Sequence, residues 1–454
     1  MNYPAPIPHE TARYRDSRLS PLPPLGPADT CAQRAVLTAV PAVRFQVIEG
    51  FGGAFTEAAA VSWQRLGDEQ QTEFLRSYFD TDTGNGYRLC RLPMGSCDFA
   101  LGNYSHVDVA GDVTLRSFSL DRDRAALIPL LRAATEVAGQ PLRLLASPWS
   151  PPAWMKSTGA MNGGGRLRPE YREAWARYFV KFIEAYEAEG IPIWGVSVQN
   201  EPEATQRWDS CLHTPEEERD FVRDFLGPAL HGAGRSDIRI VIWDHNRDRM
   251  VHRAATVLSD PQAASYVWGT GFHWYGADHF DHVQLVHDAW PDKHLLFTEG
   301  CQEGGPHHGS WDLGERYARS MINDINRWTV GWIDWNLGLD DEGGPNHVGN
   351  FCSAPVLMNP SASSLSYQSS YYYIGHFSRF AKPGARRILC ASDDANLEVT
   401  GFCNPDGTLA IVVLNRTESE RPLVLQIGEQ RWDALVAARS IVTYAVAGRQ
   451  TSSG

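Results

Sequence analysis

The sequence lacks any C-x-x-C pair, and its eight cysteines are scattered along the chain. This spacing predicts neither a disulfide framework nor a zinc site, so we interpret the cysteines as reduced core thiols. No apolar run approaches the roughly 18 residues that a membrane helix needs, and residues 1–30 contain no apolar segment typical of a signal peptide. We therefore expect no integral membrane segment and a cytoplasmic protein, or a secreted one if the chain is a trimmed mature form.

Motifs of nucleotide and metal enzymes are also absent. The chain has no G-x-x-x-x-G-K-[ST] loop, no dinucleotide-binding glycine pattern, no H-E-x-x-H pair and no EF-hand loop. We therefore expect no bound metal and no nucleotide-binding site of these types. Two histidine-containing segments, WDHNRD at 243–248 and the pair His307 and His308, have spacing unlike that of metal sites. We interpret both as surface loops.

Positive charge is the scarcer sign. The 41 Lys and Arg residues stand against 54 Asp and Glu residues, which gives a formal net charge of −13. A field of this sign repels nucleic acid and anionic membranes, so we expect a neutral substrate and no nucleic-acid partner. The sequence indicates no particular oligomeric state. Aromatic residues make up 11% of the chain and include 15 Trp, which suits sugar-binding surfaces and core packing equally well.

Strand-like apolar runs alternate with stretches of helical period from residue 49 to about residue 340. This alternation predicts a parallel sheet with crossover helices. The strand-like runs are Gly50–Phe55, Tyr87–Met94, Leu142–Trp149, Ile193–Asn200, Ile238–Trp243, Val267–Tyr275, His294–Glu299 and Gly331–Leu337. Eight such strands indicate an α/β fold with a closed (β/α)8 TIM barrel, and we place this catalytic barrel at residues 49–380.

The chain on either side of the predicted barrel has a different texture. Residues 1–30 are rich in proline and lack periodic hydrophobicity, which predicts an irregular segment. Residues 381–450 contain short alternating runs with an Asn-Pro-Asp-Gly turn at 404–407, which predicts a small β-sandwich. The similar run at 31–48 is too small to be stable alone, so we expect its strands to join that domain. The predicted β-sandwich is therefore formed from N- and C-terminal segments.

Two glutamates follow otherwise apolar strands, at the barrel end where active sites lie. Glu201 follows WGVSVQN on the fourth strand, and Glu299 follows HLLFT on the seventh. Acid/base and nucleophile chemistry at an acetal needs such a pair, with carboxyls roughly 5–5.5 Å apart in retaining enzymes and roughly 6.5–9.5 Å apart in inverting ones. One glutamate here is as readily an ion-pair partner, but two of them favour glycoside chemistry. The sequence leaves their separation open.

Charged and polar side chains on the neighbouring strands are candidate supports for these carboxylates. Arg91 lies within an apolar strand, so we expect it to face the carboxylates inside the barrel and to help keep Glu299 ionised. A purely structural salt bridge predicts the same location. His273 and Tyr275 project to one side of their strand, so we expect them to orient a carboxylate on the adjacent seventh strand. A buried core histidine is the alternative.

Further residues at the strand ends are candidate sugar contacts. Asn200 is either a turn residue or a donor to the sugar 2-hydroxyl, and we favour the donor. Trp149, Trp154 and Trp335 either pack the barrel mouth or stack on the apolar face of a pyranose. Asp98 either caps the following loop or accepts hydrogen bonds from two sugar hydroxyls.

The longest motifs together resemble a known family. They are GFGGAFTEAAA, RLPMGSCDF, LLASPWSPPAWMKSTGAMNGGG, ARYFVKFIEAYEAEGIPIWGVSVQNEP, FHWY, FTEGC, GWIDWNLGLDDEGGPN and YYYIGHFSRFAKPGARRI. From about residue 44 onward the chain is similar to glycoside hydrolase family 30, and within it to the glucosylceramidase subgroup. The resemblance implies retaining hydrolysis of a β-glucoside or glucosylated lipid, without a cofactor. A β-1,6-glucanase, a β-xylosidase and an inactive carbohydrate-binding scaffold are the alternatives.

The resemblance also implies roles for individual residues. Glu201 is the expected acid/base, kept protonated by a raised pKa, and Glu299 is the expected nucleophile. The expected glucose contacts are Asp98, Trp149, Asn200, Trp335 and Asn346, and the expected supports of the carboxylates are Arg91, His273 and Tyr275. The motif QNEP carries Gln199 where the lysosomal members have a glutamate. We therefore do not expect ceramide specificity to follow from the family alone.

Overall fold

The computed structural model describes residues 3–28 and 34–448. Its strands are β1 (Ile7–Ala12), β2 (Ser17–Pro21), β3 (Ala35–Val47), β4 (Gly50–Ala54), β5 (Leu89–Pro93), β6 (Arg143–Ser147), β7 (Gly195–Ser197), β8 (Arg239–Asn246), β9 (Val267–His273), β10 (His294–Glu299), β11 (Thr329–Asn336), β12 (Gly338–Asp340), β13 (Val356–Asn359), β14 (Ser364–Tyr367), β15 (Arg386–Ser392), β16 (Leu397–Cys403), β17 (Leu409–Asn415), β18 (Arg421–Ile427), β19 (Gln430–Val436) and β20 (Ser440–Val446). Its α-helices are α1 (Glu57–Gln64), α2 (Asp68–Phe79), α3 (Asp121–Ala125), α4 (Leu127–Ala138), α5 (Arg172–Ala188), α6 (Pro215–Phe221), α7 (Gly227–Gly232), α8 (Met250–Leu258), α9 (Pro261–Tyr266), α10 (Phe280–Ala289), α11 (Trp311–Ile325) and α12 (Ser369–Ser378).

Strands β4 to β11 form a closed parallel barrel, which confirms the predicted (β/α)8 architecture. The barrel closes where β11 pairs with β4, with Gly331 opposite Gly50. Side chains such as Leu89, Leu145 and Val241 fill its interior, so the barrel is a packed core whose polar residues gather at the strand ends. A short sheet of β12, β13 and β14 follows the last barrel strand.

A nine-stranded sheet lies beside the barrel in the order β19-β18-β3-β15-β16-β17-β20-β1-β2. It confirms that the smaller domain is a β-sandwich formed from N- and C-terminal segments. Strand β3 lies between β18, to which it is parallel, and β15, to which it is antiparallel. The turn predicted at 404–407 joins β16 to β17.

The prediction that residues 1–30 form an irregular segment is wrong for much of that segment. Strand β1 pairs with β20 from Ile7 to Ala12, and β2 pairs with β1. The sequence conceals these strands because buried positions of β1 carry polar residues. Glu10 is buried and accepts a hydrogen bond from Ser17 Oγ at 2.9 Å. A polar residue at a buried position interrupts the alternation of apolar and polar residues that predicts a strand.

The remaining predictions concern thiols, membrane segments and the histidine pair. The seven cysteines within the described ranges are free and mostly buried, and Cys31 lies outside the described residues. No helix of residues 3–28 and 34–448 is long and apolar enough to cross a membrane. His307 and His308 lie in an exposed loop, where each Nε2 contacts a backbone carbonyl.

Candidate active site

A cavity of about 200 Å³ opens at the carboxyl ends of the barrel strands. Its inner wall consists of side chains that follow the strands directly, and its outer wall comes from the longer loops after β7, β10 and β12. The lining residues are Asp98, Trp149, Asn200, Glu201, Gln206, Trp208, His245, Asn246, Tyr275, Glu299, Cys301, Glu303, Trp335, Asn350 and Cys352.

Glu201 and Glu299 face each other across this cavity. One carboxylate oxygen of each, together with a ring nitrogen of His273, lies within 4.8 Å of the others. That separation corresponds to the spacing of retaining glycosidases and is too short for the attacking water of an inverting one. Glu201 has a φ of +46°, a left-handed backbone conformation that non-glycine residues adopt at some energetic cost.

Arg91 lies at the centre of the charged groups and is fully buried. Its Nη1 is 2.5 Å from Glu299 Oε2, and its Nη2 is 2.7 Å from Asp244 Oδ2. It also donates to Asn200 Oδ1 at 2.9 Å and to Ser147 Oγ at 2.9 Å. Asn200 Oδ1 accepts the hydrogen bond from Arg91, so the Nδ2 group of Asn200 remains as a donor toward the cavity.

His273 joins a carboxylate in the segment after β7 to a carboxylate on β8. Its Nδ1 is 3.1 Å from Glu201 Oε1, and its Nε2 is 3.0 Å from Asp244 Oδ1. The prediction that His273 orients the carboxylate on the seventh strand is therefore wrong, because contact with Asp244 on β8 turns the ring toward Glu201. Tyr275 does contact the seventh strand, since its hydroxyl donates to Glu299 Oε1 at 2.9 Å.

The interpretation of residues 243–248 as a surface loop is wrong. Strand β8 continues to Asn246, and Asp244 is fully buried against Arg91 and His273. Positive φ values at Trp243 and Asp244 interrupt the pairing register and turn the carboxylate inward. The available signal was an acidic residue directly after an apolar strand, the criterion that identified Glu201 and Glu299.

The electrostatics of Glu201 differ from the expectation. Burial raises the pKa of this carboxyl, but attraction to His245 and the hydrogen bond with His273 outweigh burial and hold the pKa below its usual value. The prediction of a raised pKa for Glu201 is therefore wrong. Burial lowers the pKa of His273, yet its bonds and proximity to Glu299, Asp244 and Glu201 raise it to about 9. A proton thus resides on the imidazole, within hydrogen-bond distance of Glu201.

Burial holds the pKa of Glu299 above its usual value, and the positive charges of His273 and Arg91 oppose that rise only in part. By distance alone Glu201, His273 and Glu299 could hold a metal ion. However, the oxygens of Glu299 already accept hydrogen bonds from Arg91 and Tyr275. Both ring nitrogens of His273 also contact carboxylates. The arrangement suits proton transfer better than metal coordination.

The predicted sugar contacts fall into two groups. Trp149 and Trp335 line the cavity as a stacked pair, with ring centroids 5.0 Å apart and an interplanar angle of 19°. Trp154 lies away from it, because its Nε1 donates to the carbonyl of Val107 and its ring packs on Tyr171. The indole of Trp154 therefore packs the barrel mouth.

Asp98 lies at the cavity wall, where burial raises its pKa to about 7. Its Oδ2 accepts from Asn350 Nδ2 at 2.9 Å and from Asn346 Nδ2 at 3.3 Å. Asn350 lines the cavity, whereas Asn346 does not and instead accepts from the backbone NH of Asn350. Sequence reasoning missed Asn350 because it lies in a loop, five residues after a cis proline, without strand periodicity.

Comparison with known proteins agrees with this geometry. Residues 48–381 match the glycosyl hydrolase family 30 TIM-barrel domain, and residues 384–444 match the family 30 β-sandwich domain. The chain is 39% identical over 409 residues to the lysosomal acid glucosylceramidase of Mus musculus, covering 86% of this chain and 79% of that relative. An endo-1,6-β-D-glucanase of Neurospora crassa is 29% identical, covering 92% of this chain and 89% of that relative.

Among solved structures, SrfJ from Salmonella typhimurium superposes with a TM-score of 0.94 at 38% identity, covering 98% of this chain and 100% of that one. Both domains, and almost the whole length of the chain, thus have matched counterparts. The chain belongs to glycosyl hydrolase family 30 and is a retaining β-glycosidase.

Proposed function

We propose that the chain releases one terminal β-glucose unit from a glucoside with an apolar aglycone, as a glucosylceramidase does. The observation that carries this proposal is the small cavity of about 200 Å³ with both glutamates in its wall. It is smaller than the ~300–1,000 Å³ of pockets for drug-sized ligands, so it suits a single sugar ring better than a glucan chain. The name of the 39% identical mouse relative supports the same substrate class.

The outer rim supports an apolar aglycone. Phe351 is 40% exposed and lies between Asn350 and Cys352, which both line the cavity. A single exposed apolar side chain is common on protein surfaces, but Phe351 lies next to two lining residues, where an aglycone would leave the cavity. We infer that the aglycone lies against this rim while the glucose enters the cavity.

In the first step Glu299 attacks the anomeric carbon, and a proton goes to the leaving oxygen. The carboxylate of Glu299 is positioned by Arg91 and Tyr275, which donate to its two oxygens. Glu201 delivers this proton to the leaving oxygen. In the free protein the proton lies on His273, whose Nδ1 is 3.1 Å from Glu201 Oε1. Entry of the aglycone removes water from Glu201, and this desolvation favours transfer of the proton from the imidazolium to the carboxylate. Glu201 then protonates the aglycone oxygen as the glycosidic bond breaks.

The transition state carries positive charge near the anomeric carbon. Once His273 has passed its proton to Glu201, the carboxylates of Asp244 and Glu299 exceed the one remaining cation, Arg91, by one charge. This excess stabilises an oxocarbenium-like centre, because a preformed opposite charge in a buried site needs no reorganisation. In the second step Glu201 accepts a proton from water, and the water oxygen displaces Glu299 from the anomeric carbon with net retention.

A mechanism-based label tests the nucleophile. We expect 2-deoxy-2-fluoro-β-glucosyl fluoride to inactivate the protein and to leave a fluoroglucosyl ester on Glu299, located by peptide mass spectrometry. Glu299→Gln should take up no label. Glu201→Gln should retain measurable turnover only on aryl glucosides whose leaving group needs no protonation. An ester on another carboxylate would contradict the assignment of Glu299.

A substrate comparison tests the aglycone. Phe351→Ser should lower kcat/KM for glucosylceramide in mixed micelles several-fold and leave an aryl β-glucoside unaffected. Leu285→Ser is the matched control, because Leu285 is 53% exposed on α10, outside the cavity. Faster hydrolysis of a β-1,6-glucan than of either glucoside would favour the activity named for the Neurospora relative.

A further inference from the structure

A second cavity, here called the basal cavity, opens at the opposite end of the barrel and has a volume of about 310 Å³. It lies where Arg88 precedes β5, Arg143 begins β6 and α12 ends at Ser378. Lys382, in the connection to the β-sandwich, completes its rim. The active site lies at the carboxyl ends of the same strands, so the two cavities are separated by the barrel core.

The wall of the basal cavity carries four cationic side chains and no carboxylate. Arg143 is paired with Glu49, and Lys382 lies 3.6 Å from Asp406. Arg88 instead donates to the carbonyls of Phe79, Tyr87 and Ala138, at 3.2, 2.8 and 3.0 Å.

Arg379 donates from Nε to Asn85 Oδ1 at 3.0 Å. Within residues 3–28 and 34–448, no carboxylate forms an ion pair with Arg88 or Arg379. The nearby carboxylate of Asp80 is used by the backbone NH groups of Asp82 and Thr83. Arg88 and Arg379 therefore have no ion-pair partner among the described residues, and Asp80 acts on Arg88 only from a distance.

Arg88 is only 5% exposed, so its charge is largely removed from water. A buried guanidinium without a counter-charge is costly, and burial lowers the pKa of Arg88 accordingly. An anion in the basal cavity would supply the missing counter-charge.

A buried hydroxyl points to the same kind of ligand. Ser378 is 6% exposed and lines the basal cavity, and its Oγ has no hydrogen-bond partner among the described residues. Buried hydroxyl groups are nearly always hydrogen-bonded. A donor and two unpaired cations around one recess match an oxyanion that accepts several hydrogen bonds.

We propose that the basal cavity binds a phosphate monoester. Two unpaired guanidinium groups match its double negative charge, and its tetrahedral oxygens can accept from Arg88, Arg379 and Ser378 together. The cavity could hold about ten waters at ~30 Å³ each, which exceeds a bare phosphate and leaves room for a small organic substituent. The positive charge at this cavity is a local feature, because the chain as a whole carries a net charge of −13.

Isothermal titration calorimetry on the full chain at fixed ionic strength tests this site with two probes. Glycerol 3-phosphate represents a soluble phosphate monoester, and dihexanoyl phosphatidic acid below its micellar concentration represents a lipid headgroup. Saturable binding of glycerol 3-phosphate supports the site and a soluble source. Binding of the phosphatidic acid alone supports the site and a lipid source. Binding of neither probe at millimolar concentration would overturn the proposal.

Variants locate the bound anion. Arg379→Met should weaken binding at least tenfold, Arg379→Lys should restore part of it, and Ser378→Ala should weaken it about threefold. Lys382→Ala, at an exposed position on the rim, should weaken binding less than Arg379→Met does, because Lys382 is already paired with Asp406. Lys181→Ala, which removes an exposed charge on α5, is the control for general electrostatics. Activity on an aryl glucoside reports that each variant is folded. Wild-type affinity in both Arg379→Met and Ser378→Ala would refute the site.

Discussion

Arg91 and His273 hold three carboxylates, of Glu201 after β7, Asp244 on β8 and Glu299 on β10. Each cation contacts Asp244, and each also contacts one of the two facing glutamates. Asp244 therefore fixes the orientation of both cations, although it does not line the cavity. This arrangement separates the groups that face the sugar from the groups that set their charge.

The first prediction concerns the proton on His273. We expect His273→Gln to move the alkaline limb of the kcat/KM profile to lower pH by more than one unit. In the wild type the proton is retained up to a pH of about 9, whereas in the variant only Glu201 can hold it. The measurement is a pH profile with an aryl glucoside that has a poor leaving group. An unchanged alkaline limb would show that His273 does not hold the catalytic proton.

The second prediction concerns Asp98, whose pKa is raised by burial to about 7. Because the folded-state pKa lies above the unfolded one, ionisation costs stability as pH rises from about 4 to about 7. We expect Asp98→Asn to raise the free energy of unfolding at pH 7.5 by up to a few kcal/mol. The same change should raise KM for aryl glucosides, because an acceptor for sugar hydroxyls is lost. Thermal unfolding and steady-state kinetics measure the two effects, and a loss of stability would contradict the argument.

Closure of the barrel depends on a close approach between strands β4 and β5. A Cβ atom at Gly52 would overlap the backbone carbonyl of Leu89, which cannot move without breaking the sheet. A Cβ atom at Gly53 would instead lie 2.9 Å from Leu337 Cδ2, the end of a flexible side chain.

We therefore expect Gly52→Ala to destabilise the protein by more than ~3 kcal/mol and Gly53→Ala by about 1–3 kcal/mol. Chemical unfolding of both variants provides the comparison. Equal losses would show that backbone contact between the two strands does not limit closure.

The elements that could be predicted from sequence are those whose periodicity matches their burial. Barrel strands such as β8 and β10 are continuous apolar runs, because crossover helices cover them on one side and the barrel core on the other. Their last residues could be identified as site candidates for the same reason. Strands β1 and β2 could not, because β1 pairs with β20 through a tertiary contact that spans the whole chain and β2 pairs with β1.

The site residues that sequence reasoning missed lie where the backbone is irregular. Trp243 and Asp244 have positive φ, a conformation that no pattern of apolar residues reveals, and His245 follows them directly. Gln206, Trp208 and Asn350 line the cavity from loops of no regular period. These side chains reach the cavity because of the conformation of their loops, which the sequence pattern around them does not predict.

At the scale of the whole molecule, one buried histidine joins the barrel to the β-sandwich. His376 of α12 contacts Thr443 Oγ1 of β20 and Thr11 Oγ1 of β1, both at 2.9 Å. Burial, together with the charges of His9 and Arg379, lowers its pKa well below the usual value. The folded protein therefore keeps this imidazole neutral where the unfolded chain would protonate it.

We expect this difference to reduce stability as pH falls below about 6.5, by up to ~1.4 kcal/mol per pH unit. His376→Gln should remove that part of the pH dependence between pH 7.5 and 5, as measured by chemical unfolding. His252→Gln, at an exposed position on α8, is the control. Identical pH dependence in the wild type and His376→Gln would exclude this origin.

The order of strands in the nine-stranded sheet has a consequence for synthesis on the ribosome. Strand β3 ends at Val47, but its antiparallel partner β15 begins only at Arg386. The stretch of chain between β1 and its partner β20 is longer still. At ~5–20 residues per second, roughly 20–70 s of translation separate β3 from that partner. During this interval the nascent chain displays unpaired strand edges while the barrel is being made, and such edges attract other extended chains. The period of greatest aggregation risk therefore falls before the last strand leaves the ribosome.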